Sequence, residues 1–216
     1  MTDARSVGEC PAWDGSIPSN REREFVRRLR EVYRDVGESA RLANYNARLS
    51  SWWHHTLFGP FVPLAYYAGR FRCDDPLAIC LGVDVEVGGV PGAPFQQVGR
   101  LMSDLEERAR LSISQAELRW PDMRPQERAN RLALILATLI GRFIQIHPFL
   151  NGNGRISRLL WAWGLLRFGV PIQCRIHPRP QPPYGDVMRA AMHGDFGPLA
   201  LLILRHFAEH EPSRPV

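Results

Sequence analysis

The sequence contains no lysine: all 27 of its basic residues are arginines. This absence excludes a lysine nucleophile, a Schiff-base lysine and the lysine of a phosphate-binding P-loop. The formal net charge is +5, but the arginines are scattered and follow no recognised DNA- or RNA-binding pattern. The composition therefore disfavours nucleic acid as a partner.

Cysteine is scarce as well, with Cys10, Cys73, Cys80 and Cys174 in 216 residues. Their spacing fits neither a paired metal site nor a disulfide-rich scaffold, so we expect reduced cysteines that serve as small core residues. No run of apolar residues approaches the length that spans a bilayer, and the N-terminus shows no signal-peptide pattern. These absences predict a cytoplasmic protein without a membrane partner.

Hydrophobic periodicity predicts an all-α fold with one β-hairpin. The longest amphipathic segment runs from Arg128 to Ile146 and should be the central buried helix. Strict alternation over Val83–Val87, followed by two glycines that accept positive φ, predicts a short β-hairpin. Residues 1–19 read as an unstructured arm. Further helices are predicted over 22–36, through the forties to 57, from 152 to 166, and over 184–192 and 198–209.

One stretch carries most of the chemical information, His147-Pro-Phe-Leu-Asn-Gly-Asn-Gly-Arg-Ile-Ser-Arg158. Two glycines flank Asn153, so the backbone can turn with its N–H groups inward, where the positive end of the next helix also points. Arg155 and Arg158 share one face of that helix and can reach the same polyphosphate. Because histidine takes up a proton near neutral pH, the stretch predicts a polyphosphate site with a general base at its rim.

This stretch resembles the signature of the Fic (Fic/Doc) family, His-Pro-Phe-x-(Asp/Glu)-Gly-Asn-Gly-Arg-x-x-Arg. The resemblance continues upstream in Trp53–Phe58 and Ala68–Arg72, and downstream in Tyr184 and Ala191–Leu199. It implies a Fic-like helical bundle over residues 51–212 whose hairpin is a flap, after an N-terminal arm and helical segment over 1–50. It also implies an enzyme, a protein nucleotidyltransferase that moves AMP from ATP onto a Ser, Thr or Tyr hydroxyl of a target protein, with Mg²⁺ as cofactor.

The resemblance implies a role for each part of the site. His147 would be the general base that accepts the proton of the attacking hydroxyl. Tyr184 would lie beside the nucleotide base, and Arg158 would lie nearest the γ-phosphate. The residues that bind the phosphates would be Gly152, Asn153, Gly154, Arg155 and Arg158. An extended stretch of the target would pair with the flap residues Val85, Glu86, Val87, Gly88 and Gly89.

Position 151 departs from the family pattern, which places Asp or Glu there as the protein ligand for Mg²⁺. The amide oxygen of Asn151 can bind this ion but brings no charge. Three outcomes stay open: the phosphates hold the metal with weakened affinity, turnover is slow, or the site binds nucleotide without transfer. Because the base, the glycine turn and both arginines are present, we expect transferase activity to be retained.

Two questions about function stay open at this stage. The alternatives to AMP transfer are a nucleotide-binding Fic pseudoenzyme and a transferase of another phosphate-linked group, such as UMP, GMP, phosphate or phosphocholine. Many Fic proteins also carry an inhibitory helix, (Ser/Thr)-x-x-x-Glu-(Gly/Asn), whose glutamate pairs with the second motif arginine. Ser39–Asn44 has this shape with Ala43 in place of the glutamate. Inhibition would then come from a separate antitoxin-like protein or be absent.

Overall fold

Seven α-helices and one two-stranded β-hairpin form the described part of the chain, which confirms the predicted fold class. The structure is a computed structural model that describes residues 10–42, 44–73, 75–171, 176–178 and 180–208. The helices are α1 (Glu22–Leu42), α2 (Ala47–Phe58), α3 (Phe95–Arg119), α4 (Pro125–Ile146), α5 (Asn153–Arg167), α6 (Tyr184–Met192) and α7 (Gly197–Ala208). The hairpin joins β1 (Glu86–Val87) to β2 (Val90–Pro91), with Val87 opposite Val90 in antiparallel register.

The predicted central helix is α4, which packs against α3, α5, α6 and α7. Its inner face, fully buried, consists of Leu132, Leu136, Leu139, Ile140 and Phe143. By length and composition α4 could also cross a bilayer, so the expectation that no such run exists was wrong. In the fold, 61% of its most apolar window is buried, and a core helix surrounded by other helices needs that composition.

α5 lies so close to α4 that only glycine fits at one point of contact. A Cβ atom at Gly164 would lie 2.1 Å from Cδ2 of Leu136. Trp161 and Trp163 are buried beside this contact, as predicted for packing residues. Gly169 follows α5 with φ at +73°, which confirms the predicted left-handed helix end. The close pairing fixes the end of α4 relative to the start of α5, and the loop between them carries the motif.

The N-terminal helix is part of the same core as the rest of the domain. α1 buries Phe25, Val32, Val36 and Ala40, and it packs against α2 and α5. These side chains join one continuous apolar cluster with those of the later helices. The proposed boundary at residue 50 stays a prediction.

Residues 10–18, here named the N-terminal strap, contain no helix or strand, as predicted. They do not form a free arm, however. The indole of Trp13 packs against the rings of Phe58 and Tyr67, at centroid distances of 5.5 and 6.3 Å. The hydroxyl of Tyr67 also donates to the carbonyl of Pro11 at 3.0 Å. The strap is therefore held against the body of the domain.

A disulfide fastens the start of the strap, so the expectation of reduced cysteines was wrong for one pair. Cys10 is bonded to Cys80, which is buried and lies 70 residues away in the sequence. Spacing rules did not reveal the pair, because only the fold brings the strap to residues 79–81. Cys174 lies outside the described residues.

Candidate active site

The loop between α4 and α5 begins and ends with left-handed backbone. His147 follows the last residue of α4 with φ at +50°, and Gly152 precedes α5 with φ at +79°. A Cβ atom at Gly152 would lie 2.6 Å from the ring of Phe58 and 3.0 Å from Nε2 of His54. Glycine is therefore required at 152 both by the backbone and by the space around it.

The side chain of Asn153 closes the loop on itself. Its Oδ1 accepts the Phe149 N–H at 3.0 Å, and its Nδ2 donates to the Phe149 carbonyl at 2.8 Å. Asn153 is 1% exposed, so both amide atoms are committed to the loop. The predicted phosphate binding at this position would therefore use the backbone N–H groups of Asn153 and Gly154. These two groups have no acceptor within α5, because they lie in its first turn.

A buried histidine supports the same loop from behind. Nδ1 of His54 accepts the Gly69 N–H at 2.9 Å, so Nε2 carries the proton that it donates to the Asn151 carbonyl, 3.0 Å away. Its ring stacks on Phe149 at a centroid distance of 3.9 Å. Burial lowers the pKa of His54 to about 3, so the ring is neutral. This position agrees with a structural role.

His147 presents a neutral imidazole to the site. Burial lowers its pKa to about 4, with a further lowering by the charge of Arg72, while the carbonyl of Ile144 acts in the opposite direction. At neutral pH the ring is therefore unprotonated and able to accept a proton. The buried Nδ1 makes no hydrogen bond of good geometry within the described chain.

A cavity of about 720 Å³ opens beside His147, in the size range of small-molecule sites. It brings together most of the predicted site residues: His147, Asn151, Gly152, Asn153, Gly154, Arg155, Arg158, Tyr184, Val85, Glu86, Val87 and Gly88. Gly89 lies in the turn of the hairpin with φ at +84° and does not line the cavity. The imidazole and the start of α5 thus face one opening, as a phosphate site with an adjacent base requires.

Arg155 lines the cavity but is anchored on the strap side. Its Nη1 donates to the Gly15 carbonyl at 3.1 Å, and its guanidinium lies 5.4 Å from the ring centroids of both Phe25 and Phe58. Burial lowers the pKa of Arg155, and the positive charge of Arg158 adds to this effect. The contacts to carbonyl and rings hold a desolvated cation next to the helix start.

Arg158 is 5% exposed and is anchored by a different segment. Its Nε and Nη2 both donate to the Ile176 carbonyl, at 3.0 and 2.7 Å. The guanidinium lies 5.5 Å from the ring centroid of Tyr184, a residue predicted to contact a nucleotide base. Nη1 is turned toward Gly154, because a Cβ atom there would lie 3.6 Å from it. This edge of the guanidinium is therefore the one that faces the start of α5.

Asn151 offers weak support for a metal. Its Oδ1 accepts the Gly152 N–H at 2.7 Å, and its Nδ2 donates to the Trp13 carbonyl at 3.4 Å. Among the described residues, no group of three His, Cys, Asp or Glu side chains could hold an ion. An amide oxygen can accept a hydrogen bond and bind Mg²⁺ with its second lone pair. The residues thus fit a Mg²⁺ that takes one neutral ligand from the protein and the rest from phosphate and water.

The segment with the shape of an inhibitory motif lies far from the second motif arginine. The Ala40 carbonyl accepts from Nη1 of Arg167, near the end of α5. Arg167 follows Arg158 by nine residues, or roughly 13 Å of helix. Ala43 itself lies outside the described residues. The described part of this segment, up to Leu42, therefore does not approach Arg158.

Sequence reasoning missed two contributions to the site. The carbonyls of Trp13 and Gly15 hold Asn151 and Arg155, although residues 1–19 read as an unstructured arm. Arg72 binds the carbonyl of His147, although it was noted only as part of a family-like segment. The only signals in the sequence were the residue types, a glycine at 15 and an arginine at 72, and neither identifies its partner.

Solved structures show the same fold. The BepC protein of Bartonella tribocorum, with bound AMPPNP, matches with a TM-score of 0.61 and 16% identity, covering 88% of this chain and 87% of that one. A Fic domain-containing signaling protein of Bacteroides thetaiotaomicron matches with a TM-score of 0.65 and 16% identity, over 90% and 70% of the two chains. The N-terminal Fic domain of a Bep effector protein from Bartonella quintana, with bound ADP, gives 0.58 and 18%, over 93% and 92%.

Sequence comparison points the same way. A Fido domain-containing protein of Dictyostelium discoideum is 34% identical over 68 residues, which are 32% of this chain and 45% of that protein. The chain thus spans less than half of that relative. The profile of the Fic/DOC family matches residues 46–165, which include the whole motif and more than half of the 216 residues. The protein belongs to the Fic/DOC family.

Proposed function

We propose that this protein transfers AMP from ATP to a Ser, Thr or Tyr hydroxyl of a target protein, with His147 as general base. Members of the Fic/DOC family commonly transfer nucleotides or other groups onto proteins. One observation carries the proposal. A neutral imidazole, the start of α5 with its first N–H groups, and two arginines all line the same cavity. Bound AMPPNP and ADP in related structures support a nucleotide as the donor.

The proposed reaction is an in-line displacement at the α-phosphorus. His147 accepts the proton of the target hydroxyl, whose oxygen forms a bond to the α-phosphorus as the bond to the bridging oxygen breaks. Pyrophosphate leaves with the electron pair of that bond, and AMP remains on the target. The start of α5 and the two arginines stabilise the negative charge of the phosphate oxygens.

Mg²⁺ would neutralise phosphate charge when bound, with Asn151 as its ligand from the protein.

The side chains of Ile144, Tyr184 and Met188 form part of the cavity wall and would contact the nucleotide base. Tyr184 would do so beside Arg158, on which its ring lies. The protein would thus contribute one neutral ligand to the metal and contacts that orient the nucleotide base.

The hairpin would hold the target. Val85, Glu86, Val87 and Gly88 line the cavity on the side of His147, and a two-stranded ribbon leaves both edges open for pairing. An extended segment of target on such an edge would bring its hydroxyl over the imidazole. Inhibition by a separate antitoxin-like protein, or the absence of any inhibitor, stays a prediction from the sequence.

The test is the intact mass of the protein, and of candidate target proteins, after incubation with each nucleoside triphosphate and Mg²⁺. The proposal expects a gain equal to AMP from ATP and no gain in His147→Ala. A different mass increment would name another transferred group. Absence of any gain with every nucleotide, in the presence of targets, would contradict the proposal.

The second candidate is a nucleotide-binding pseudoenzyme, and the contacts of Asn151 favour it. Both amide atoms are bonded to the protein, and the position lacks the charge of the family's acid. Asn151→Asp separates the two functions, because a carboxylate binds Mg²⁺ more strongly than an amide. A weakened enzyme would gain turnover in this variant. A pseudoenzyme would bind nucleotide in both forms and transfer nothing.

A further inference from the structure

Arg72 is a fully buried arginine that joins the flap to the end of α4. Its Nε donates to the His147 carbonyl at 2.9 Å, and its Nη2 donates to the Ile146 carbonyl at 3.0 Å. On the other side, Nη1 donates to the Val83 carbonyl at 3.0 Å and Nη2 to the Ala93 carbonyl at 2.8 Å. Val83 and Ala93 are the two stems of the hairpin, one before β1 and one after β2.

The buried charge of Arg72 is offset mainly by carbonyl oxygens rather than by a carboxylate. Among the described residues, its acidic partner is Asp84, 3.9 Å away and 66% exposed, and so distant and solvated a carboxylate offsets little of the buried charge. Carbonyl oxygens do so instead, and two of them belong to the C-terminal end of α4, where a cation is favoured. The planar guanidinium provides five N–H donors in a fixed geometry, which a lysine could not reproduce.

His147 needs such support because of its backbone. A non-glycine residue with φ at +50° is uncommon and persists where its surroundings impose it. Arg72 binds the carbonyl of His147 through its side chain and the carbonyl of Pro148 through its own N–H, at 2.7 Å. The two peptide groups that flank His147, those with the carbonyls of Ile146 and His147, are both held by the side chain of Arg72, and the next one along the chain is held by its N–H.

The flap also touches His147 directly. A Cβ atom added at Gly92 would lie 3.1 Å from Cβ of His147 and 3.4 Å from Nη2 of Arg72. Glycine at this point lets the hairpin stem approach the histidine closely. The position of the flap and the position of the imidazole are consequently set by the same contacts.

We infer that Arg72 is a positioning residue that aligns the His147 imidazole with the target hydroxyl held on the flap. The inference rests on the proposed function and deepens it. The phosphate-binding part of the loop is fixed separately, by His54 and by the side chain of Asn153. Loss of Arg72 should therefore impair transfer more than nucleotide binding.

The experiment compares Arg72→Gln and Arg72→Lys with Arg128→Gln. Arg128 is a matched control, since its Nε and Nη2 also donate to carbonyls, of Trp120 and Pro121, near the opposite end of α4. We expect Arg72→Gln to lower kcat about 10²-fold, the cost of misplacing a reacting group by about 1 Å. Arg72→Lys should recover part of this loss, and the Kd for an ATP analogue should stay within about threefold, because binding that is shared by ground and transition state is unaffected.

A second variant keeps the test decisive if Arg72→Gln does not fold. Gly92→Ala adds one methyl group against His147 and Arg72 without changing any hydrogen-bonding group. It should lower kcat by about tenfold, again with little change in Kd. A parallel loss of kcat, nucleotide affinity and thermal stability in these variants would show a purely structural residue and overturn the inference, as would a kcat within threefold of wild type in Arg72→Gln.

A readout without turnover separates this inference from the proposed function. The NMR titration of the His147 ring, assigned by its loss in His147→Ala, should show a higher pKa in Arg72→Gln, because the positive charge of Arg72 lowers it. Asp84 is not among the groups that shift the pKa of His147, so Asp84→Asn should leave the titration nearly unchanged. An unchanged His147 titration in Arg72→Gln would count against the inference even if the wild-type protein transferred nothing.

Discussion

The two sides of the motif loop are held in place by different means. On the flap side, one buried guanidinium donates to the carbonyls of Ile146 and His147 and to those of the two hairpin stems, at 2.8 to 3.0 Å. On the strap side, Asn151 and Arg155 are held by two carbonyls of a segment without secondary structure, at 3.4 and 3.1 Å. The flap side is therefore held by a fully buried charged group, whereas the strap side depends on backbone carbonyls of a segment that the Cys10–Cys80 disulfide and Trp13 fasten to the domain.

This difference separates the two tasks of the site. The general base depends on contacts that are lost only when the core opens. The strap supports one arginine at the start of α5 and the amide in the family's metal-ligand position, so strap variants should change nucleotide binding before they change the chemistry. Variants of the base, of the strap and of the disulfide test this separation.

The largest effect should follow from His147→Ala. Removal of a general base lowers kcat about 10²- to 10⁴-fold, because the attacking hydroxyl keeps its proton in the transition state. Nucleotide affinity should stay within about threefold, since the ring contributes to transfer rather than to uniform binding. Steady-state transfer rates and the Kd for an ATP analogue measure the two quantities. Equal losses in both would show that His147 binds phosphate and is not the base.

Gly15→Ala should have the next largest effect. Gly15 has φ at +73°, and a Cβ atom there would lie 2.4 Å from Oδ1 of Asn151. Gly169→Ala is the matched control, because Gly169 has the same φ of +73° and open space around it. Both variants should lose about 1–3 kcal/mol of stability from backbone strain.

The strap contact should distinguish these two variants in nucleotide binding. Gly15→Ala must displace either the strap or the side chain of Asn151, and Arg155 then loses its carbonyl partner. We expect a loss of nucleotide affinity of about tenfold, which corresponds to about 1.4 kcal/mol. Gly169→Ala should bind as wild type in the same titration. Equal affinities of the two variants would show that the strap does not support the site.

The comparison also shows which parts of the protein a sequence reveals. The motif is readable because its base, turn and arginines lie within twelve residues, and Gly169 is readable as a helix end. The contacts that hold the motif in place could not be predicted from the sequence, because Arg72 and His147 are 75 residues apart and Gly15 and Arg155 are 140 apart. Helix α3 was also not predicted, since alanines such as Ala109 and Ala116 weaken its apolar face.

Cys10→Ser, or treatment with reductant, should have a smaller effect on the site. The Cys10–Cys80 disulfide closes a long loop, and its loss should lower the free energy of unfolding by about 2–4 kcal/mol. Trp13 still anchors the strap through its packing on Phe58, so nucleotide affinity should fall only about threefold. Melting curves and nucleotide titrations with and without reductant test this. Cys73→Ser is the control that leaves the disulfide intact, and it should keep its response to reductant.

The smallest effect should be that of pH on the rate near neutrality. With the pKa of His147 lowered to about 4 by burial, the base is unprotonated from pH 8 down to about 5.5, and kcat should be nearly flat over this range. An acid limb near pH 6.5 would show an exposed, unperturbed imidazole and contradict the buried position of the base.

Stability should respond to acid before the rate does, because of the histidine behind the loop. The pKa of His54 is lowered to about 3 in the folded protein, from an ordinary value of about 6.5. Below pH 6.5 the unfolded chain binds a proton that the folded chain does not, so the contribution of His54 to stability is complete above 6.5 and declines until about pH 3. The melting temperature should therefore fall between pH 6.5 and 5.5 while kcat at 25 °C does not change. His147, whose pKa is also lowered, contributes to the same fall, so His54→Gln should reduce the fall by about half rather than abolish it. An undiminished fall in this variant would assign it to other groups.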